Sequence, residues 1–116
     1  MQHSIGIDIV DVADFSKKIN RTKSLKKRLF TEHEINYCSK RGVEHLASRF
    51  AAKEAFAKAI NVQKLSWKDI EVMNLSSGKP YLKIKRQLEN KLKIKSIDAS
   101  ISNIKKFAVA VVIVNH

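Results

Sequence analysis

The sequence predicts an α+β domain in which a mainly antiparallel sheet packs against a long central helix. Three observations carry that prediction. Leu46–Ile60 contains no Gly, no Pro and no β-branched residue before its last position, which is the composition of a helix. Five short β-rich runs, 4–10, 70–75, 81–84, 96–102 and 107–114, surround it. These strands and helices do not alternate strictly, and Ser76-Ser77-Gly78-Lys79-Pro80 turns one strand back on the next as a hairpin. The length of 116 residues fits one domain, residues 1–116, small enough that self-association would add useful burial.

In chain order, Ile5, Ile7 and Ile9 share one face of the first strand and Gly6, Asp8 and Val10 the other. Asp is depleted in strand interiors, so Asp8 sits either at a wet edge or opposite a ligand or charge. Gly6, on the same face, leaves room for a close approach. Asp11 is placed to cap a helix whose apolar stripe is Val12, Phe15 and Ile19, with Asp14 in its first turn. Its continuation through Arg28 carries Lys17, Lys18, Arg21, Lys23, Lys26, Lys27 and Arg28, seven cations within twelve residues. Such density is either a solvated face or a surface for an anionic partner.

Thr31-Glu32-His33-Glu34 has the form of a capping box opening a short helix, with Gly42 as its stop. In the central helix Leu46, Phe50 and Ala57 fall on one side, and the other five of its six alanines fill most of the rest. A helix so apolar all round is expected to be buried. Glu54 and Lys58 at i, i+4 are then either an exposed pair worth a few tenths of a kcal/mol or, given the flanking alanines, a candidate ligand and its neighbour. Arg49 and Lys53 form a second charged stripe. Asn61 can end the helix, Ser66–Asp69 reads as one capped turn with Trp67 in the core, and residues 85–92 form an amphipathic helix before the last strand pair.

Lys and Arg total 23 against 11 Asp and Glu, a net charge of +12, which draws in nucleic acid or an acidic protein at long range. Aromatics are too few and not interleaved with the basic residues, so nucleic acid is the lesser alternative. The lone Cys38 forms no internal disulfide, and the N-terminus lacks the layout of a signal peptide; the cytoplasm is the expected compartment. The longest apolar run, 107–114, is too short to span a bilayer as a helix. The four histidines lack paired metal spacing and no Gly-rich phosphate loop occurs. What remains is oxygen chemistry: Asp8 and Glu54, brought together, suit Mg²⁺, with Lys58 meeting phosphate charge.

Gly6-Ile7-Asp8-Ile9-Val10, then Arg49-Phe50-Ala51-Ala52-Lys53-Glu54-Ala55-Phe56-Ala57-Lys58-Ala59, then Gly78-Lys79-Pro80, resembles the holo-[acyl-carrier-protein] synthase family of 4'-phosphopantetheinyl transferases over nearly the whole chain. The resemblance implies that family's fold and transfer of phosphopantetheine from coenzyme A to a serine of apo acyl carrier protein, releasing adenosine 3',5'-bisphosphate. It implies Mg²⁺ on Asp8 and Glu54, phosphate contact by Lys58, and Glu54 or a metal-bound water as acceptor of the serine proton. It implies that Arg49, Lys79, Pro80, Ser102 and Asn103 meet the nucleotide end, and that Lys18, Arg21, Leu25 and Arg28 meet the acidic carrier. It also implies a homotrimer with active sites between protomers. Three positions depart from the family pattern: Asn103 replaces a usual His, with Lys105 or Lys106 as substitutes; Asp14 replaces a usual Arg; and Asn61-Val62-Gln63 replaces Gly-Thr-Gly. A catalytically degenerate coenzyme A-binding relative is therefore a further alternative.

Overall fold

A computed structural model describes residues 2–62 and 64–116. The order is β1 (His3–Asp11), α1 (Val12–Arg21), α2 (Lys23–Leu29), α3 (Glu32–Cys38), α4 (Val43–Ile60), a 3-10 turn (Trp67–Asp69), β2 (Ile70–Asn74), β3 (Pro80–Ile84), α5 (Arg86–Lys91), β4 (Ser96–Asn103) and β5 (Phe107–Asn115). All pairings are antiparallel, and the strands form two sheets, β1-β5-β4 and the hairpin β2-β3. The α+β class and the long central helix are as the sequence predicts.

The alternation of β1 separates two faces, and the one that joins the core is the less apolar. Gly6 and Val10 are buried and Asp8 is half-buried, whereas Ile5, Ile7 and Ile9 are 67%, 59% and 63% exposed. The reason is the seam between β1 and α4. A Cβ built on Gly6 would lie 1.9 Å from the carbonyl oxygen of Ala55 and 2.8 Å from the amide nitrogen of Ala59. The helix backbone lies directly against the strand backbone, a contact possible only where Gly faces Ala. Gly6→Ala is expected to cost about 3 kcal/mol through this overpacking, read as a lowered midpoint in chemical denaturation. A midpoint equal to that of the parent protein would show that the seam can open.

Ala47, Ala51, Ala52, Ala55 and Phe56 of α4 are fully buried against Ala108, Ala110, Val112 and Val114 of β5 and Ile70 and Val72 of β2. Burial of Phe56 alone is worth about 1.5–3 kcal/mol.

The basic segment after β1 is two helices rather than one. Thr22 is extended (φ −117°, ψ 96°) and breaks the run, while Asp11 caps α1 by accepting from the Asp14 amide at 3.0 Å. The capping box at Thr31 and Glu34 is present. Gly42 does not stop α3, which ends at Cys38; with φ +106° it precedes α4, whose first turn starts three residues before Leu46. Asn61 ends α4 in the left-handed conformation. Of the departure at Asn61-Val62-Gln63, Gln63 lies outside the described residues. Trp67 is only half-buried, at the end of an aromatic row through Phe50 (5.7 Å) and Phe15 (5.5 Å) to Phe30 (6.1 Å).

Lys53 and Glu34 form an ion pair of 2.6 Å with both side chains at 0% exposure. The ammonium also donates to the carbonyls of Leu29 (2.7 Å) and Trp67 (3.0 Å), which uses all three of its protons. Glu34 accepts from the amides of Thr31 (2.9 Å) and Val72 (2.8 Å). One pair thus joins α4 to the end of α2, the start of α3, the 3-10 turn and β2. Burial pulls the Lys53 pKa down, and Glu34 opposes that pull. The stripe of Arg49 and Lys53 is therefore buried, not solvated.

Candidate active site

β1 and α4 lie side by side in the Gly6 seam, and each brings one carboxylate to the same place. Asp8 and Glu54 both line a cavity of about 500 Å³ whose apolar walls are Phe15, Leu25, Leu29 and Phe50. The charges feel one another: burial is the main cause of a raised pKa at Glu54, the Asp8 carboxylate is the second, and Lys58 works the other way. Lys58 pairs with Asp8 at 3.1 Å rather than with Glu54, and donates to the carbonyl of Ile7 at 3.1 Å; its own side chain is 56% exposed. Of the two reasons foreseen for a strand aspartate, a wet edge or a waiting charge, the second holds: the Asp8 side chain is 14% exposed and faces Lys58.

The donor set fits a hard divalent cation. Two carboxylates on rigid elements suit Mg²⁺, which is commonly bound through one or two carboxylates plus substrate phosphates. Among the described residues no cluster of three or more His, Cys, Asp or Glu could hold a metal, so no all-protein cage of the zinc kind is present there.

Of the residues the resemblance assigns to the carrier, Lys18 and Leu25 border this cavity together with Asp11 and Asp14. Arg21 is exposed at the end of α1. Arg28 lines a different groove, with Lys27, Leu65, Trp67 and Lys68.

The nucleotide-end residues gather elsewhere. Arg49, Pro80 and Asn103 line a second cavity of about 190 Å³ with Tyr37, His45 and Asn74. Lys79 and Ser102 adjoin it in sequence without lining it; both are exposed, and Ser102 alternates with the lining residue Ile101. Arg49 is 4% exposed. Its guanidinium stacks 4.3 Å from the Tyr37 ring and donates to Asn74 Oδ1 at 2.5 Å, but its buried Nε has no hydrogen-bond partner among the described residues. Arg49 and Glu54 are five residues apart on α4, about 140° around the helix and about 7.5 Å along it, so one protomer presents the two cavities in different directions.

Fold and site together define a class. The chain belongs to the 4'-phosphopantetheinyl transferase superfamily, whose profile it matches over residues 4–112. Within that class it is 41% identical, across the whole of both chains, to the holo-[acyl-carrier-protein] synthase of Geobacter sp. (strain M21), and 41% identical to that of Halothermothrix orenii over 97% of each. Its fold matches the crystal structure of Helicobacter pylori holo-[acyl-carrier-protein] synthase in complex with coenzyme A, with a TM-score of 0.89 at 35% identity over 96% of this chain and 99% of that one. The Bacillus anthracis holo-(acyl-carrier-protein) synthase in complex with CoA (3',5'-ADP) gives 0.80 at 35% identity over 96% and 94%. No helix among the described residues is long and apolar enough to cross a membrane.

Proposed function

We propose that this chain transfers the 4'-phosphopantetheine group of coenzyme A to a serine of apo acyl carrier protein in an Mg²⁺-dependent reaction that releases adenosine 3',5'-bisphosphate. The observation that carries the proposal is the pairing of Asp8 and Glu54 in one apolar-walled cavity, on a fold shared with synthases solved with coenzyme A. The serine hydroxyl gives up its proton to Glu54 or to a water, its oxygen bonds to the phosphorus that bears pantetheine, the bridging P–O bond breaks, and the electron pair leaves with the nucleotide phosphate. Asp8 and Glu54 would hold Mg²⁺, which when bound neutralises charge on the diphosphate and its leaving oxygen. Lys58, exposed and tied only at its tip, is free to turn from the Ile7 carbonyl to a phosphate oxygen. Phe15, Leu25, Leu29 and Phe50 exclude water from the reacting centre, which strengthens every charge interaction inside it. Lys18, Arg21 and Arg28 steer an acidic carrier to the mouth, chiefly raising the association rate.

A homotrimer with shared sites is part of the proposal. Ile5, Ile7 and Ile9, with Phe107 (41% exposed) and Ile113 (37%), form an apolar sheet face that a lone protomer leaves in water. The separation of the Arg49 cavity from the Asp8–Glu54 cavity supports one protomer serving each end of coenzyme A. The cytoplasm is the compartment this reading requires. Ile7→Lys is expected to yield a folded monomer with little activity by sedimentation equilibrium and transfer assay; a parent protein that sediments as a monomer would remove the trimer.

The decisive experiment incubates the protein with apo carrier, coenzyme A and Mg²⁺ and weighs the carrier. A phosphopantetheine mass increment that disappears with a chelator is expected. No increment at high enzyme concentration would refute the transferase reading.

A further inference from the structure

The cations of the first two helices are not alike. Lys17, Lys18, Arg21, Lys23, Lys27 and Arg28 are exposed, whereas Lys26 is half-buried. It lines a cavity of about 310 Å³ where four helices meet, walled by Ile19 of α1, Ile35 and Cys38 of α3, and Val43 and Leu46 of α4. No carboxylate lines that cavity, and the ion pairs of the described residues are Lys53–Glu34, Lys58–Asp8 and Lys85–Asp69, so Lys26 has no anionic partner among them. A lysine lays its methylene stem along apolar surface and keeps its head in water, which puts one positive charge at the rim of an apolar chamber. That charge is felt at the wall. Burial is the largest influence on the Cys38 thiol and raises its pKa, helped by Glu34, while Arg49, Arg41 and Lys26 pull it down. The volume is at the small end for ligand cavities and is about ten times the share of one water in the liquid, room for a chain of roughly ten heavy atoms.

We propose that this cavity binds a medium-chain aliphatic carboxylate, with its chain among Ile19, Ile35, Val43 and Leu46 and its head paired with Lys26. The apolar walls take the chain and reject the head, which is left at the rim where Lys26 meets it. The Asn20 amide, which also borders the cavity, is a donor for the second carboxylate oxygen. This cavity and the Asp8–Glu54 cavity share no lining residue, and the inference does not depend on the transferase reading. An occupant would tie α1 and α2 to α3 and α4 from the side away from the candidate active site.

Calorimetric titration of the full chain with decanoate, decyltrimethylammonium and acetate tests this, with both amphiphiles below their micelle concentrations. Decanoate is expected to bind one site per chain, and the other two, which lack its head or its tail, at least about tenfold more weakly. Lys26→Gln removes one charge-assisted hydrogen bond and should weaken decanoate about tenfold or more. Lys27→Gln, at the exposed neighbour, should leave it unchanged. No binding of decanoate, parental affinity in Lys26→Gln, equal weakening by both substitutions, or equal affinity for decyltrimethylammonium would overturn the site. Methyl NMR of the parent protein locates the chain independently of any substitution: the signals of Ile19, Val43 and Leu46 should shift with decanoate. Shifts at Leu25 and Leu29 instead would put the ligand in the Asp8–Glu54 cavity and overturn the assignment.

Discussion

Glu54→Gln is expected to lower transfer at least about a thousandfold, because a neutral amide cannot hold a hard cation against the diphosphate and several kcal/mol of charge stabilisation go with it. The same substitution should stabilise the fold at neutral pH. Burial and the Asp8 charge raise the Glu54 pKa above its ordinary value of 4.5, so folding favours the protonated carboxyl and ionised Glu54 is a cost to the native state. A raised carboxyl pKa contributes stability below the unfolded value and loses it as pH rises through the folded value. The gain in Tm of Glu54→Gln over the parent should therefore be present at pH 7, shrink as pH falls, and vanish below about 4.5, where the parent is itself protonated. Thermal melts without Mg²⁺ across that range read it directly. Near-parental activity would remove Glu54 from the site, and a lower Tm at pH 7 would show that Lys58 outweighs burial.

Glu34→Ala is expected to be the most damaging single change to the fold. It strands the buried Lys53 ammonium and deprives the amides of Thr31 and Val72 of their acceptor, at a cost of about 3–5 kcal/mol. For a chain of this size that lowers Tm by roughly 10–20 °C. The double substitution Glu34→Leu with Lys53→Met should recover more than half of the loss, since exchanging a whole buried pair for apolar groups of similar volume is far cheaper than breaking it. A Tm within 2 °C of the parent for Glu34→Ala, measured by calorimetry, would mean that water reaches the pair.

Asp8 and Glu54 were legible because each is out of place locally, an acid inside a strand and an acid among alanines. The capping box at Thr31 was legible because it is complete within four residues. Glu34 was legible only in that local role: its larger one depends on Lys53, nineteen residues on, and on carbonyls from two other segments. The alternation of β1 announced two faces but not which would be buried, since hydrophobicity favours the isoleucines and only the fit of Gly6 against α4 reverses that. Arg49 stood out in the sequence as a charge on a buried helix. The orphaned Nε and the nearness of Asn103 depend on the chain folding back over fifty residues.

The Gly6 seam sets the spacing of the site as well as its packing. Asp8 rides on the strand and Glu54 on the helix, and no side chain separates the two backbones, so the gap between the carboxylates is gauged by peptide groups in contact. Any thickening of that seam, even by one methyl, would be transmitted to the distance between the two carboxylates, across which the proposed cation would be shared. The helix and strand act as the fixed jaws of a caliper, and the smallest residues in the chain hold its setting.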